Sequence, residues 1–217
     1  MHTTKYHFPS ANSADARGLL AQSDFISASL AFSAHSQGIF PWYNPGNPIL
    51  WWSPDPRAII PTATIHTSRS LHKLLRTMPY HLSLDTAFTA VIDHCAKVHG
   101  ETWITDDMRS TYLTLHDQGR AHSCELWQEG TLIGGLYGVA LERIFCGESM
   151  FSLRPSASKI VLVQLCAHLA AMGIDTLDTQ FLTPHLISMG AKNIPRDEYL
   201  SRLTENPDAH RGRWHLC

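Results

Sequence analysis

Residues 123–151 read SCELWQEGTLIGGLYGVALERIFCGESMF, and the fold prediction starts from them. Three short β-type runs lie within it, at Ser123–Gln128, Thr131–Val139 and Ile144–Phe151. Only Glu129-Gly130 separates the first two runs, and a two-residue connection that ends in glycine is typical of a tight hairpin. The stretch therefore predicts three consecutive antiparallel strands.

A helix and a fourth strand are expected after these strands. The periodicity predicts a helix over Ser156–Met172, which Gly173 ends, and a strand over Thr176–Leu182. Because this helix lies between two strands, those strands are expected to be parallel neighbours with a right-handed connection. A short helix follows over Pro195–Leu203, with proline at its first position, and then a polar tail.

Two helices are expected before the strands. The first begins with Ser83 as its N-cap and ends at Gly100; the second begins at Asp106 or Asp107 and ends at Gly119. Apolar residues recur at helical spacing in both, namely Leu84, Phe88, Val91, Ile92, Cys95 and Val98, then Met108, Tyr112 and Leu115. This order of elements predicts an α+β fold with one mixed sheet, as in the N-acetyltransferase-like (GNAT) architecture.

The segment from Gly38 to Arg57, GIFPWYNPGNPILWWSPDPR, contains five prolines and three tryptophans. Proline cannot donate a backbone hydrogen bond, so we predict a rigid loop here without a helix or a central strand. The preceding residues show only a weak helical pattern, carried by Leu19, Leu20, Phe25, Ile26, Leu30 and Phe32. Ordinary periodicity resumes after residue 62, so we expect a small N-terminal domain over residues 1–62 and the main domain over residues 63–217.

The composition is that of an ordinary globular protein. Of 217 residues, 44% are hydrophobic and 17% are charged, and the formal net charge is −2. A nucleic-acid partner would have to contact a local basic patch, because the chain has no overall positive field. The five cysteines include no CxxC spacing, and the sequence shows neither a signal-peptide core nor an apolar run of membrane-spanning length, so a cytoplasmic protein is expected. No metal is expected, since the fourteen histidines include no zinc-binding motif.

Polar residues near two strand ends are the candidates for chemistry. Glu148 lies in the run FCGESMF, where a carboxylate needs a partner or water. Asp178 and Gln180 are two apart on the next predicted strand, so their side chains should leave the same face beside Glu148. The three would form a compact polar cluster. The alternatives are a solvent-facing Glu148 and a strand end held by hydrogen bonds.

Several common catalytic motifs are absent from the sequence. It contains no GxGxxG, GxxxxGKS/T or GxSxG, and RPSASK stands where an acyl-coenzyme A enzyme carries a glycine-rich pyrophosphate loop. A coenzyme-A-dependent acetyltransferase is therefore disfavoured even within the predicted fold. The tryptophans suit base stacking, although packing between domains is the better interpretation for at least two of them.

Ten sequence blocks between Gly18 and Leu203 resemble the leucyl/phenylalanyl-tRNA–protein transferase family. The longest and most specific are GIFPWYNPGNPILWWSPDPR and FCGESMFS. The others are HTSRSL (66–71), GETWIT (100–105), AHSCELW (121–127), GGLYGV (134–139), ASK (157–159), LDTQ (177–180), MGA (189–191) and IPRDEYL (194–200). The resemblance implies an acetyltransferase-like domain with a small N-terminal domain, and a reaction without a free cofactor.

The resemblance also implies a reaction. The α-amine of an N-terminal Arg or Lys attacks the ester carbon of an aminoacyl-tRNA, and the new N-terminal Leu or Phe marks the protein for degradation. The implied partners are Leu-tRNA, Phe-tRNA and proteins that begin with Arg or Lys, with no membrane and a monomeric enzyme. Met is left open as a further donor, because selection among apolar side chains is worth only about 1–3 kcal/mol per methylene.

The matching motifs imply a set of site residues. An apolar pocket for the transferred side chain would comprise Leu136, Phe145, Gly147, Met150, Leu162 and Leu177. The terminal adenosine would be bordered by Trp42, Trp103 and His35, the last in place of a tyrosine common in relatives. The catalytic cluster would comprise Glu148, Asp178 and Gln180. We expect Gln180 to hold the attacking amine, Asp178 to fix Gln180, and Glu148 to lie close to the cationic substrate end.

Cations beside the tryptophan-rich segment are the candidate tRNA contacts. Within twenty residues lie Arg57, Arg69, His72, Lys73 and Arg76. Arg69, Lys73 and Arg76 are expected to hold phosphates; a solvated helix face is the alternative, and the Arg211–Arg213 tail is the second choice. Two other functions remain open: an acyltransferase that uses acyl-coenzyme A, and a catalytically silent tRNA-binding module.

Overall fold

The computed structural model describes residues 7–98, 104–204, 206–212 and 214–215. Its strands are β1 (Leu19–Ser23), β2 (Phe40–Pro41), β3 (Ile49–Trp52), β4 (Arg57–Pro61), β5 (His81–Leu84), β6 (Ala121–Gln128), β7 (Thr131–Ala140), β8 (Ile144–Ser152), β9 (Thr176–Gln180) and β10 (Lys192–Ile194). Its α-helices are α1 (Ala28–His35), α2 (Arg69–Thr77), α3 (Phe88–Val98), α4 (Asp106–Asp117), α5 (Ala157–Ala171), α6 (Pro184–Ser188) and α7 (Arg196–Leu200).

Seven strands form one mixed sheet in the order β10-β4-β9-β8-β7-β6-β5. Strands β6, β7 and β8 are antiparallel neighbours, and Glu129 and Gly130 both have positive φ, as the predicted tight hairpin requires. Strands β8 and β9 pair in parallel, and α5 connects them. The prediction of an α+β fold with a GNAT-like mixed sheet is therefore confirmed.

The proline-rich segment contains a short central strand. Ile49–Trp52 is β3, the middle strand of a three-stranded sheet in the order β1-β3-β2. The prolines flank this strand and do not interrupt its hydrogen bonds. Trp51 is fully buried and donates its indole N–H to the hydroxyl oxygen of Ser23, 2.8 Å away. The prediction of a loop without a central strand was therefore wrong for these residues.

The apolar residues before this segment are divided between a strand and a helix. Leu19–Ser23 is β1, which pairs with β3, and α1 begins only at Ala28. Ser27 is the N-cap of α1, since its hydroxyl oxygen accepts a hydrogen bond from the N–H of Leu30. The helical interpretation was wrong for β1, because pairing with a distant strand outweighs the local spacing of leucines.

The first predicted helix begins later than expected, and the second begins where expected. Ser83 lies within β5, whose pairing with β6 takes it out of the helix, and α3 begins at Phe88. The helix α4 begins at Asp106, and the hydroxyl oxygen of Thr105 accepts from the N–H of Met108. The predicted stop at Gly100 lies outside the described residues.

Helices cover both faces of the large sheet. The helices α1, α3 and α4 pack on one face, and α5 packs on the other, with Val161 and Leu162 fully buried. The division of the chain at residue 62 stays a prediction; β4, which lies just before it, pairs with β9 in the large sheet. No helix in the described part of the chain is long and apolar enough to cross a membrane.

Candidate active site

Two cavities share a wall where the middle of β8 lies beside the end of β9. The first, here called the apolar cavity, has a volume of about 120 Å³ and is lined by Leu136, Gly147, Glu148, Ser149, Met150, Leu162, Leu177, Thr179, Gln180 and Leu186. The second, here called the aromatic cavity, has a volume of about 140 Å³ and is lined by Phe40, Pro41, Trp42, Glu148, Gln180 and Phe181. Glu148 and Gln180 line both cavities, so any group at the shared wall would contact both side chains.

Most residues predicted for an apolar pocket line the apolar cavity. They are Leu136, Gly147, Met150, Leu162 and Leu177. Phe145 does not line it; its side chain is 1% exposed, and its ring centroid lies 5.6 Å from that of Trp214. Leu186 of α6 was not predicted, although an apolar residue after the helix-starting Thr183-Pro184 was an available signal.

The carboxyl group of Glu148 is buried at the shared wall. Its side chain is 3% exposed, and Tyr112 of α4 donates its hydroxyl hydrogen to Oε2 over 2.6 Å. Nε2 of His35 lies 3.4 Å from Oε1. Burial raises the pKa of Glu148 to about 8, although the hydrogen bond from Tyr112 opposes the rise. This carboxyl can therefore gain or lose a proton near neutral pH.

Asp178 is fully buried and lines neither cavity. Arg57 of β4 donates from Nε to Oδ1 over 2.8 Å and from Nη2 to Oδ2 over 2.7 Å, and Tyr199 donates its hydroxyl hydrogen to Oδ2 over 2.9 Å. Burial alone would raise the pKa of Asp178, but the charge and hydrogen bonds of Arg57 hold it below its usual value. Arg57 is 1% exposed, so its prediction as a candidate tRNA contact was wrong.

Gln180 ends β9 with a left-handed backbone, at a φ of 57°. Its N–H donates to Oδ1 of Asp178 over 2.9 Å, and the pairing of β9 with β4 shifts register between Asp178 and Gln180. This bulge breaks the alternation of the strand, so Gln180 lines the cavities and Asp178 does not. A non-glycine residue held at positive φ costs about 1–3 kcal/mol, and such strain concentrates at functional sites.

Sequence similarity identifies the family. The family model described as leucyl/phenylalanyl-tRNA protein transferase matches residues 59–204, and the model of its N-terminal domain matches residues 26–55. A protein of that name from Legionella pneumophila (strain Corby) is 45% identical, over 99% of this chain and 99% of its own. The chain belongs to this family. It is therefore an enzyme, an aminoacyltransferase of the leucyl/phenylalanyl-tRNA–protein transferase type.

Other similar proteins agree with the assignment or are more distant. The leucyl/phenylalanyl-tRNA–protein transferase of Aromatoleum aromaticum is 47% identical over 92% of this chain and 86% of its own. Among solved structures, an aminoglycoside acetyltransferase from an uncultured soil metagenomic sample aligns with a TM-score of 0.40 and 14% identity, over 64% of this chain and 100% of that chain.

The residues predicted to border adenosine occupy different environments in this family member. Trp42 is 43% exposed and lines the aromatic cavity, where its ring centroid lies 5.6 Å from that of Phe181. Phe181 was not predicted, although an aromatic residue directly after LDTQ was a signal. His35 is 1% exposed behind Glu148, so its ring is not available for stacking in this arrangement. Trp103 lies outside the described residues.

The helix α2 of this aminoacyltransferase presents cations on an exposed face. Arg69, Lys73 and Arg76 follow helical spacing and are exposed, and none forms an ion pair within the described part of the chain. Of the second-choice cations, Arg211 donates to the carbonyl oxygen of Gln118 over 3.0 Å, and residue 213 lies outside the described ranges.

The four cysteines within the described ranges are not placed for nucleophilic chemistry. Those at positions 95, 124, 146 and 166 are buried free thiols, and burial raises the pKa of Cys95 and of Cys166 to about 12. Within the described ranges, no group of three or more His, Cys, Asp or Glu side chains could hold a metal ion.

Proposed function

We propose that this enzyme transfers leucine or phenylalanine from aminoacyl-tRNA to the α-amine of an N-terminal Arg or Lys of a protein. The supporting observation is that Glu148 and Gln180 line the apolar and aromatic cavities at once. An aminoacyl ester has an apolar side chain on one side and a nucleoside on the other, so it would span this pair of cavities. The reacting carbonyl carbon would then lie beside Glu148 and Gln180.

The apolar cavity suits the side chain of the transferred amino acid. Four leucines and Met150 are five of its ten lining residues, and a Cβ at Gly147 would lie 3.3 Å from Cδ1 of Leu177, so glycine keeps the space open. Each buried CH₂ group contributes about 0.8 kcal/mol, which both Leu and Phe would gain. Discrimination between apolar side chains that differ by one methylene group is weak, about 1–3 kcal/mol, so we propose Met as a further transferred amino acid.

The aromatic cavity suits the terminal adenosine of the tRNA. Trp42 and Phe181 offer partly exposed rings there, and stacking on an aromatic side chain is worth about 1–3 kcal/mol per base. Trp103 is proposed beside them on the resemblance alone. The exposed face of α2, with Arg69, Lys73 and Arg76, would hold the tRNA phosphates and explain how a chain of net charge −2 binds a polyanion.

The proposed chemistry requires orientation more than a strong base, because the ester is already activated. The side-chain amide of Gln180 would hold the attacking amine at the shared wall. Asp178 would act as a positioning residue, since it contacts Gln180 through the backbone N–H and is fully buried. The acidic group of Glu148 would favour a cationic acceptor and disfavour one that begins with Asp or Glu.

The product would be a protein with a new N-terminal Leu or Phe, which we propose as a degradation signal. In this proposal residues 1–62 form an N-terminal domain that supplies Trp42, and residues 63–217 form the catalytic domain. A monomer suffices for this chemistry, since the residues of the proposed site come from one chain.

Incubation of the pure enzyme with Leu-tRNA or Phe-tRNA and matched peptides tests the proposal. The peptides differ only in their first residue, which is Arg, Lys, Asp or Glu. Mass spectrometry should show one added leucyl or phenylalanyl residue on the Arg and Lys peptides, and none on the others. Efficient modification of the Asp or Glu peptide would contradict the proposed acceptor.

Two further measurements separate the other functions that the sequence left open. If the protein binds tRNA but gives no product on the Arg peptide, it is a silent tRNA-binding module. If a calorimetric titration detects acetyl-coenzyme A binding and acetyl transfer follows, it is an acyl-coenzyme A enzyme. The absence of a glycine-rich pyrophosphate loop before α5 favours the first proposal over this one.

A further inference from the structure

His35 is buried beside Glu148, and the chemistry proposed above gives it no role. It is the last residue of α1, and its Nε2 atom lies 3.4 Å from Oε1 of Glu148 and 3.4 Å from the hydroxyl oxygen of Tyr112. Within the described part of the chain, Nδ1 of His35 and Oε1 of Glu148 lack a hydrogen-bond partner. Unsatisfied buried polar atoms destabilise a folded protein and are uncommon, so their presence beside the cavities calls for an explanation.

We propose that His35 is a positioning residue that, together with Tyr112, keeps the buried carboxyl group of Glu148 able to ionise at the shared wall of the cavities. Glu148 then accepts the proton that the acceptor amine must lose before it attacks the ester. This inference rests on the proposed aminoacyl transfer and assigns the proton acceptor of that reaction.

Tyr112 favours the ionised form of Glu148, and His35 acts on Glu148 through Tyr112. Burial raises the pKa of Tyr112 well above its usual value, so Tyr112 keeps its proton and donates it to Oε2. Burial lowers the pKa of His35 to about 4, so the imidazole is neutral. When its hydrogen is on Nε2, the neutral ring donates to the hydroxyl oxygen of Tyr112 over 3.4 Å, which leaves the hydroxyl hydrogen of Tyr112 for Oε2 of Glu148.

Other titratable groups around this carboxyl do not replace the hydrogen bond from Tyr112. Besides burial, Asp178 on β9 raises the pKa of Glu148 and Arg57 on β4 lowers it, and these two residues are paired with each other. Tyr137 on β7 and Cys146 on β8 face the same space, and burial raises the pKa of both well above their usual values. Both are therefore neutral, and the hydrogen bond from Tyr112 is the main effect that opposes burial of Glu148.

The proton transfer balances without a further reactant. An α-ammonium group has a pKa of about 8, close to that of Glu148, so the transfer between them is nearly thermoneutral. The proton leaves the ammonium nitrogen for the Glu148 carboxylate, and the free lone pair forms the C–N bond at the ester carbon. The C–O bond to the ribose then breaks, and the ribose oxygen takes the proton that the new amide nitrogen loses. Glu148 finally returns its proton to water.

Direct titration of Glu148 in His35 variants tests the inference. The ¹³C NMR signals of glutamate Cδ report the ionisation of each carboxyl, and the signal that disappears in Glu148→Gln identifies Glu148. His35→Phe removes the donor, whereas His35→Gln keeps an N–H near the position of Nε2 without carrying charge. Gln37→Ala changes an exposed residue next to the same helix end and is the matched control.

We expect His35→Phe to raise the titration midpoint of Glu148 by about half to one pH unit, because the hydroxyl group of Tyr112 loses the donor that orients it towards Oε2 of Glu148. The rising limb of kcat/KM against pH should move by the same amount. The midpoint in His35→Gln should stay close to that of the unchanged protein. Tyr112→Phe should raise the midpoint as well, which keeps the test decisive where His35→Phe does not fold.

An unshifted midpoint in both His35→Phe and Tyr112→Phe would overturn the inference. A midpoint in His35→Gln displaced as far as in His35→Phe would overturn the hydrogen-bonding role of His35. A midpoint that moves while the pH–rate profile stays unchanged would remove Glu148 as the proton acceptor. The titration needs no substrate, so failure of the unchanged enzyme to transfer any aminoacyl group would refute the proposed function separately.

Discussion

Replacement of Arg57 with methionine is expected to destabilise the fold by removing one half of a buried ion pair. Arg57 and Asp178 are both almost fully buried, and Arg57 also donates to the carbonyl oxygen of Gly38 over 3.1 Å. The guanidinium carbon lies 4.7 Å from the ring centroid of Phe40 and 4.4 Å from that of Tyr199. Methionine would keep much of this apolar contact but would leave a carboxylate unpaired in the interior.

The magnitude follows from the partners that Asp178 retains. Breaking a buried ion pair from one side costs about 3–5 kcal/mol, against a total stability of about 5–15 kcal/mol. Tyr199 and the N–H of Gln180 still donate to Asp178, so we expect a loss of about 3 kcal/mol at pH 7. Without Arg57 the pKa of Asp178 rises above its value in the unfolded chain. The loss should therefore shrink as the pH falls towards 4, where the carboxyl is protonated.

Urea denaturation of Arg57→Met, Asp178→Asn and the double variant at pH 7 measures this effect. The double variant should be more stable than Arg57→Met by about 2 kcal/mol, because it no longer buries an unpaired charge. Two results would refute the assignment of Asp178 as a buried carboxylate that is ionised and paired with Arg57. One is a loss of less than about 1 kcal/mol in the free energy of unfolding of Arg57→Met, and the other is a double variant that is no more stable than Arg57→Met.

Three further outcomes concern the two cavities and α2. Met150→Arg should abolish aminoacyl transfer without unfolding the protein, because it places a charge in the apolar cavity. The control is Leu153→Arg, whose position is 43% exposed, and this variant should keep the transfer activity of the unchanged enzyme. Phe181→Ala should raise the KM for aminoacyl-tRNA about tenfold through lost stacking; an unchanged KM would place the base elsewhere. Replacement of Arg69, Lys73 and Arg76 with alanine should reduce the slope of log tRNA affinity against log salt concentration by about 0.7–0.9 per lost phosphate contact. The same variant should leave transfer from a short aminoacyl-adenosine analogue unchanged.

The central strands were predictable because their signals are local. The strands β6, β7 and β8 carry β-type runs, and Glu129-Gly130 supplies a hairpin turn within two residues. The helix α5 and strand β9 follow from periodicity and from Gly173, which ends the helix region. The strands β1 and β3 were missed because their pairing joins distant segments, and no local pattern reports which distant strand a segment will join.

The sequence motifs identified the site residues, but they did not predict which of these residues are buried. Alternation along β9 predicted that Asp178 and Gln180 would share a face, and a bulge with a positive φ at Gln180 separates them. Arg57 looked like a surface cation because charged residues usually are, and only the buried position of Asp178 reveals its partner. His35 was read as a stacking ring, yet packing against α4 places it behind Glu148.

Single-turnover transfer from Leu-tRNA to an Arg-initiated peptide shows whether chemistry takes place at the wall formed by Glu148 and Gln180. The enzyme is held in excess over Leu-tRNA, and the affinity for Leu-tRNA is measured separately for the unchanged enzyme and for Gln180→Ala. We expect Gln180→Ala to lower the transfer rate by about 10²-fold while the affinity for Leu-tRNA stays within about twofold. A transfer rate in Gln180→Ala equal to that of the unchanged enzyme would contradict the claim and place the reacting ester elsewhere.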